Sequence, residues 1–545
     1  MSSNQRRIYR LAVAATGEYT AYFGGQVSVA LAQIVTAINR VNQIYGRDLG
    51  IQFQLVGNND RIIYSSSESD PYTQSASSIP TMLEENQQNL DYILGADNYD
   101  IGHLFGVVGG GLASVSSACQ EFKAQGYTGT PEPDNDVFYI DFVAHELGHQ
   151  LSATHSFNGT AVNCGGINRD PEMAMEPGSG STIMSYAGIC GEENLQSNSN
   201  ATFHAISIQQ IHAFITRGGG SQCGSLVSTT NHAPIVDAGA TGEDAIYTIP
   251  AGTPFRLTGQ ASDQDGDTLS YQWDEMDAGG DSGATDASTI GTDIQANPLF
   301  RSFLPKTTPE RYFPRLSLLI TGSSDIGETL PEVVRELNFR LTVRDGESGV
   351  AYDDLIISVN DKLGSFKVTG GSLNSGGSFS GGTRQSLNWS VAATDSICPE
   401  VEISLLSLSK GDSPVSYCDH WEAGLDKLNL GRFANSGSAL IELPDISLQR
   451  GRVMLACANG PFFDLSDRSL QIEGQAVMAS DCKPMDGETL EHGSLFTDAG
   501  SATKFDSPGG GGGGALGWLN LLLGGVLMMN YYSRKKLATC DKPIM

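Results

Sequence analysis

The first 225 residues alternate short apolar strands with amphipathic helices. Residues 10–14 are mostly apolar, as in a buried strand, and residues 100–106 form a second such run ahead of a glycine-rich turn. Between them, apolar side chains recur at helical spacing, at Val27, Leu31, Ile34, Ile38, Val41 and Tyr45. This pattern predicts an α/β domain over residues 1–225.

The periodicity changes after residue 232, where short runs of β-forming residues are separated by turn residues. Such runs lie at residues 255–257, 269–273, 337–343, 355–359, 386–392 and 401–405. We therefore expect two all-β sandwich domains, at residues 232–360 and 361–475. Residues 476–508 show no sustained periodicity and are predicted to be a linker.

The C-terminal segment has a different composition from the rest of the chain. Residues 509–514 are six consecutive glycines, and residues 515–532 are an uncharged stretch of eighteen that ends shortly before Arg534, Lys535 and Lys536. Eighteen apolar residues just span a bilayer, and a basic cluster stays on the cytoplasmic side. The sequence therefore predicts a hydrophobic helix within residues 509–536, with everything before it outside the cell.

Composition narrows the class of protein. A chain of 545 residues exceeds one hydrophobic core, so we expect a multidomain protein. The formal charge of −30 argues against nucleic acid or an anionic membrane surface as a partner. The nine cysteines include no Cys-x-x-Cys pair, which favours disulfides and an oxidising compartment over a cysteine metal cluster.

The most informative stretch is HELGHQLSATH, at residues 145–155. On a helix, His145 and His149 lie one turn apart on the same face, and His155 follows where the chain must turn back to bring in a third nitrogen. Three imidazoles bind Zn²⁺ and leave one position for water, whose pKa falls to roughly 7. Glu146 is then the candidate general base for peptide hydrolysis.

A His-Glu-x-x-His string also arises by chance on surface helices, and buried histidines usually serve packing alone. Here three of the nine histidines of the chain fall within eleven residues, which favours a metal site.

This pattern resembles the metzincin metallopeptidases, whose signature is HExxHxxGxxH with a methionine turn downstream. Residues 181–186 read STIMSY, and the resemblance places Met184 as the apolar floor of the site. Tyr186 resembles the tyrosine with which the astacin and serralysin branches contact zinc or the oxyanion, so it is a candidate transition-state stabiliser. Ser152 replaces the signature glycine, whose role is a left-handed backbone at the helix end.

Within the metzincins, residues 8–217 resemble the bacterial reprolysin-like group. The resemblance rests on YRLAVAATGEYTAYFGG at residues 9–25, YDIGHLFG at 99–106 and EPGSGSTIMSYAGICG at 176–191. It places the strand at residues 100–106 at the cleft edge, where an extended peptide could add as a further strand. It also implies disulfides Cys119–Cys223 and Cys164–Cys190, whereas the residues alone leave all three pairings open.

Residues 231–240 and 262–273 resemble PKD-like or cadherin-like immunoglobulin-type domains of bacterial surface proteins. Asp263, Asp265 and Asp267 offer carboxylate ligands for Ca²⁺, but Thr268 stands where an EF-hand has glycine, and a plain acidic turn is the alternative. No catalytic constellation is visible in the second sandwich.

The tail resembles the GlyGly-CTERM sorting signal of Gram-negative bacteria, which an inner-membrane protease of the rhomboid type removes near the glycines. A permanent transmembrane anchor is the alternative. Either way the protein is expected to be secreted or held at the cell surface. Residues 1–25 contain no secretory signal peptide and no inhibitory propeptide, so we expect that the natural chain begins further upstream.

Together these features predict a zinc-dependent endopeptidase that hydrolyses extracellular proteins or peptides, with the sandwiches as substrate-binding or spacing modules. The alternative is a surface adhesin that keeps the metal-binding shell and hydrolyses nothing. Ser152 and the large non-catalytic half keep that alternative open, and Glu146 speaks against it. The oligomeric state is not readable from the sequence.

Overall fold

The computed structural model describes residues 5–73, 75–239, 246–408, 427–474, 476 and 477. Three regions follow one another along the chain, and we call them the first, second and third regions. They span residues 5–228, 235–360 and 361–477 respectively.

The first region is the predicted α/β unit. Its strands are β1 (Gln5–Ala15), β2 (Ile51–Leu55), β3 (Ile101–Gly106), β4 (Gly110–Ala113), β5 (Gly126–Gly129) and β6 (Ser225–Ser228). Its helices are α1 (Gly17–Tyr22), α2 (Val27–Leu49), α3 (Ile79–Ile93), α4 (His145–Gln150) and α5 (Ala205–Arg217). The main sheet has the order β2-β1-β3-β5-β4, and β6 pairs with β1.

The strand order corrects one prediction. The strand expected at residues 100–106 exists as β3, but it lies between β1 and β5 and is buried along its whole length, so its placement at the cleft edge was wrong. The edge strand is β4, which pairs antiparallel with β5. Three consecutive glycines, residues 109–111, lie at the start of this strand and gave no strand periodicity from which to predict it.

Helix α2 has the predicted apolar face. Its buried residues include Ile34, Ile38, Val41 and Tyr45, which pack on the sheet, and the helix ends at Gly50 with a left-handed φ of 64°. The Tyr45 hydroxyl donates to the Ala144 carbonyl over 2.6 Å, so α2 holds the chain immediately before the histidine motif at residues 145–155.

The second region is β-rich, with one short helix. Its strands are β7 (Ile235–Asp237), β8 (Ile246–Pro250), β9 (Phe255–Thr258), β10 (Gln260–Ser262), β11 (Ser270–Glu275), β12 (Glu310–Phe313), β13 (Arg335–Arg344) and β14 (Val350–Asn360), and α6 is Leu316–Thr321. The largest sheet has the order β11-β13-β14-β8, with smaller pairs β10-β7 and β12-β9.

The third region consists of two sheets. It contains β15 (Lys367–Gly370), α7 (Ser372–Ser375), β16 (Gly377–Ser380), β17 (Arg384–Ser390), β18 (Glu400–Ser407), β19 (Lys427–Ala434), β20 (Ser438–Glu442), β21 (Ile446–Cys457), β22 (Phe463–Leu465), β23 (Leu470–Glu473) and β24 (Ala476–Val477). The sheet β15-β17-β20 and the larger sheet built around β21 and β18 contribute to one buried apolar cluster, which also includes the core of the second region.

Three disulfides lie in the described residues. Cys119–Cys223 and Cys164–Cys190 confirm the pairings implied by the resemblance, and Cys398–Cys457 joins the segment just before β18 to the end of β21. Cys418, Cys482 and Cys540 lie outside the described ranges.

Across these ranges, no helix combines the length and apolar character needed to cross a bilayer. The predicted linker at residues 476–508 begins with the short strand β24, so its first two residues belong to the third region. Residues 478–508 and the hydrophobic helix expected within 509–536 fall outside the described ranges, and both stay predictions.

The first and second regions meet through a buried ion pair. The Arg344 guanidinium lies 2.8 Å from the Asp48 carboxylate, and both side chains are fully buried. Burial alone would raise the pKa of Asp48, but the positive charges of Arg344 and Arg47 and the hydrogen bonds to the carboxylate outweigh it and lower the pKa to about 2. The second region therefore docks on the α/β unit through charged groups that have no access to water.

Candidate metal centre

The histidine motif begins where the helix geometry changes. Residues Val137–Ala144 form a π-helical stretch that continues directly into α4 at His145, and π-helical turns occur frequently at functional sites. At its other end, α4 is tied to the central strand, because the Gln150 amide donates to the Gly102 carbonyl over 3.0 Å and its oxygen lies 2.9 Å from His103 Nδ1.

The structure brings the three predicted histidines together. The Nε2 atoms of His145 and His149 lie 3.2 and 3.1 Å from that of His155. Zinc at about 2.0–2.1 Å from each nitrogen, in tetrahedral geometry, requires nitrogen–nitrogen separations of about 3.3 Å. The donor set therefore fits a zinc ion.

The opposite ring nitrogens orient the imidazoles. Nδ1 of each histidine lies within hydrogen-bonding distance of a backbone carbonyl oxygen. The distance is 2.7 Å from His145 Nδ1 to the Ile183 oxygen and 2.8 Å from His149 Nδ1 to the Ala153 oxygen. It is 2.6 Å from His155 Nδ1 to the Asn168 oxygen. Because a carbonyl only accepts, each Nδ1 must carry the proton, and each Nε2 lone pair points inward.

Burial keeps the imidazoles neutral. It lowers the pKa of His145 to about 3, with a further contribution from His149, and lowers the pKa of His149 to about 4. The pKa of His155 falls well below its usual value for the same reason, reinforced by the other two histidines. All three rings are therefore uncharged at neutral pH, as metal ligation requires.

Glu146 lies beside this cluster on the same helix. Its side chain is 6% exposed, its Oε2 has no hydrogen-bond partner among the described residues, and burial raises its pKa well above the usual value. A Cβ placed on Gly111 would lie only 2.1 Å from its Oε1, so the edge strand β4 passes directly against this carboxylate.

The turn after α4 contains the predicted left-handed residue. Ser152 has φ 84°, in the region that favours glycine, and its hydroxyl accepts from Ser116 over 3.0 Å. Helix α4 ends with Ala153 N–H donating to the Gly148 carbonyl over 2.9 Å, which turns the chain towards His155.

Met184 and Tyr186 both lie close to the histidine motif. Met184 is fully buried under α4, and a Cβ on Gly148 would meet its Sδ at 2.5 Å, so this glycine gives the thioether access to the helix backbone. The Tyr186 ring packs 4.5 Å from the His155 ring and 4.7 Å from that of Phe157, centroid to centroid.

Sequence reasoning missed Glu176, which is fully buried and links the segment just after His155 to the stretch around Met184. Its carboxylate accepts from the Ser156 hydroxyl over 2.7 Å, from Ser181 N–H over 2.7 Å and from the Thr182 hydroxyl over 2.5 Å. A carboxylate that receives this many hydrogen bonds fixes the segments it joins. The only signal was its position at the start of the stretch that carries the methionine turn.

The acidic cluster at Asp263, Asp265 and Asp267 does come together, with carboxylate oxygens within 4.8 Å of one another. The Asp263 Oδ1 is already used by the backbone, because it accepts from the N–H groups of Asp265 and Gly266 over 2.8 and 3.0 Å. Asp265 pairs with His232 over 3.0 Å. These contacts are typical of an acidic turn, and Ca²⁺ binding stays a prediction.

The comparison with protein families supports a metallopeptidase site in the first region. Residues 5–213 match the family described as metallo-peptidase family M12B, reprolysin-like, so they form a reprolysin-like metallopeptidase domain. Members of this family are zinc-dependent peptidases, and their substrates are proteins or peptides. No curated protein matches the chain.

Solved structures match only distantly. The Ig1-2 module of the Drosophila receptor protein tyrosine phosphatase DLAR is 12% identical, with 45% of this chain and 100% of that chain covered and a TM-score of 0.21. The fibronectin(III)-like modules of Clostridium thermocellum CbhA are 8% identical, with coverages of 44% and 95% and a TM-score of 0.15. Chicken CNTN1 FN1-FN3 domains are 11% identical, with coverages of 46% and 69% and a TM-score of 0.17.

Proposed function

We propose that the chain is a zinc-dependent endopeptidase that hydrolyses peptide bonds of extracellular proteins. The observation that carries the proposal is the convergence of three Nε2 atoms, each oriented by a carbonyl at its Nδ1, with the Glu146 carboxylate beside them. We assign His145, His149 and His155 as the ligands.

A bound zinc ion would lower the pKa of a coordinated water to roughly 7 and polarise the scissile carbonyl. The remaining work falls to side chains of this chain. The positive charge of a bound zinc ion would favour the ionised carboxylate of Glu146 despite its burial. Glu146 then accepts a proton at its unpartnered Oε2 and delivers it to the leaving amine. Met184 closes the site from below with apolar volume, and Tyr186, packed against His155, donates its hydroxyl proton towards the charge that develops on the substrate oxygen.

The edge strand β4 is the substrate platform in this proposal. It pairs with β5 on one side only, so a peptide in extended conformation can hydrogen-bond along its other side. Gly111 brings this strand against Glu146, which positions a bound peptide next to the catalytic carboxylate. We expect Gly111→Ala to impair catalysis, because the added methyl group would displace that carboxylate.

For the rest of the chain, we propose that residues 509–536 are a sorting tail that an inner-membrane protease processes in a Gram-negative bacterium. The support is the run of six glycines, the uncharged stretch and the basic residues after it. This tail would deliver the peptidase to the cell surface or the medium. We also propose the acidic turn at Asp263, Asp265 and Asp267 as a weak Ca²⁺ site, on the proximity of its carboxylates.

Casein hydrolysis by the purified full chain tests the proposed activity. Glu146→Gln should bind zinc and lose about 10²–10⁴-fold in turnover, since it removes the proton acceptor while keeping the shape of the side chain. Glu121→Gln, the same exchange at an exposed position, is the matched control and should cleave like wild type. A metal chelator should abolish cleavage.

A catalytically silent adhesin is the second candidate, and the serine at the strained position, with φ 84°, is the observation that favours it. An adhesin would bind one zinc ion and leave casein intact. Equal cleavage by wild type and Glu146→Gln would reject the hydrolytic mechanism instead.

A further inference from the structure

The second region contacts the part of the first region that contains His155. We call residues 155–176 the ligand segment and residues 277–290 the docking loop. The ligand segment runs from His155 to Glu176 and contains only short 3₁₀ turns, Val162–Cys164 and Gly166–Asn168. The docking loop has no helix or strand in the structure.

The three histidines differ in what holds their orienting carbonyls. His149 uses Ala153, four residues away in the helix-ending turn, and His145 uses Ile183 of the methionine turn, which Glu176 fixes. His155 uses Asn168, which lies within the irregular ligand segment. The third ligand therefore depends on whatever immobilises that segment.

Arg169, next to Asn168, connects this carbonyl to the docking loop. Its guanidinium donates to the Asn158 carbonyl over 3.0 Å, to the Asn158 side-chain oxygen over 2.7 Å and to the Gly280 carbonyl over 2.5 Å. Arg169 is 8% exposed and Asn158 is fully buried, so water does not compete for these bonds.

Further hydrogen bonds bind the docking loop to the same segment. Gly279 and Gly280 donate through their N–H groups to the carbonyls of Ala174 and Pro171, each over 3.0 Å. The Asn158 side-chain amide donates to the Gly283 carbonyl over 2.7 Å, and the Thr160 hydroxyl donates to the Thr285 backbone carbonyl over 2.7 Å. The loop thus substitutes for regular secondary structure along the ligand segment.

We propose that the second region is a positioning element of the metal centre: through Arg169 and Asn158, the docking loop fixes the Asn168 carbonyl that orients His155. The inference rests on the proposed zinc site. It makes the second region part of the catalytic unit, in addition to any role in substrate binding or spacing. Partners that orient metal ligands typically contribute 10- to 100-fold to metal affinity.

Two variants of the full chain test this inference. Gly279→Ala would place a Cβ 2.1 Å from Asn158 Oδ1 and 3.1 Å from Arg169 Nη2, which pushes the loop away from the ligand segment. Arg169→Lys keeps the charge and loses the forked contact. Gly57→Ala is the matched control, because a Cβ at Gly57 meets nothing within 4 Å.

The measurements are the rate of zinc transfer to a fluorescent chelator and the visible spectrum of the cobalt-substituted protein. We expect both variants to release zinc about 10- to 100-fold faster than wild type and to show an altered cobalt spectrum, with Arg169→Lys the milder. A purely structural role would lower thermal stability and leave zinc release and the spectrum unchanged, and that result would overturn the inference.

The outcomes separate this inference from the proposed function. If the wild type binds zinc and cleaves casein but the variants release zinc at the wild-type rate, the positioning role is refuted and the proposed function stands. Wild type without zinc would refute both. If Gly279→Ala does not fold, Arg169→Lys decides the question.

Discussion

Substitutions at Ser152 test the conformation of the turn that leads to His155. The backbone conformation of this residue should reverse the usual order of stability, in which alanine is more stable than glycine. At a residue with negative φ, alanine is more stable than glycine by about 0.4–1 kcal/mol, chiefly because glycine has more freedom in the unfolded chain. At φ 84°, a side chain of any kind costs about 1–2 kcal/mol that glycine does not incur. The perturbations are Ser152→Gly, Ser152→Ala and Ser152→Val.

Besides unfolded-state entropy and backbone strain, a hydrogen bond affects the stability of this turn: the Ser116 hydroxyl donates to the Ser152 hydroxyl, which contributes about 1 kcal/mol. Ser152→Gly loses this bond and gains unfolded-state entropy, but it relieves the strain, so its free energy of unfolding should stay within about 0.5 kcal/mol of wild type. Ser152→Ala keeps the strain and loses the bond, which lowers stability by about 1 kcal/mol. Ser152→Val adds a β-branched side chain and should be the least stable.

Urea unfolding of the zinc-loaded protein measures these differences. Ser28, an exposed residue in the first turn of helix α2, is the matched control, since there the alanine variant should be more stable than the glycine variant by about 0.4–1 kcal/mol. The order of stability should therefore be reversed between the two sites. Alanine more stable than glycine at both positions would refute the left-handed conformation of Ser152, and with it the described path of the chain to His155.

Three other perturbations have expected outcomes. Arg344→Met should lower the free energy of unfolding by about 3–5 kcal/mol in urea, because it leaves the buried Asp48 short of a positive charge, and an effect below 1 kcal/mol would contradict the ion pair. The pKa of Asp48 in the folded protein is lowered to about 2, so the stability that its ionised carboxylate contributes is complete above about pH 4 and is lost as the pH falls towards 2. Across that interval the free energy of unfolding of the wild type should fall by about 2 kcal/mol more than that of Asp48→Asn. Replacing Cys164 and Cys190 together by alanine should cost about 3 kcal/mol, as expected for a loop of this length, and an unchanged melting temperature would count against that bond.

Much of the fold was predictable because local periodicity is strong where an element has one buried face. The spacing from Val27 to Tyr45 predicted helix α2, and the run at residues 337–343 predicted the centre of β13. The histidine cluster was predictable for a similar reason, since two ligands lie one helical turn apart and the third follows a short turn. The two disulfides of the first region followed from the resemblance and not from the spacing of the cysteines.

What the sequence did not reveal depends on contacts between distant segments. The edge position of β4 is set by sheet order, which the sequence pattern of one strand does not encode, and Gly111 gives no sign of its contact with Glu146. The carbonyl partners of the histidines are backbone atoms and have no sequence signature. The buried Asp48–Arg344 pair joins residues 296 positions apart, so neither gave reason to expect a docked second region.

We propose that His145, His149 and His155 together hold one zinc ion. This is measured by elemental analysis of the purified full chain after reconstitution with zinc and removal of excess metal. We expect one zinc per wild-type chain and little or none after His155→Ala, in protein that retains its fold by circular dichroism. Wild-type zinc content in folded His155→Ala would contradict the three-histidine site.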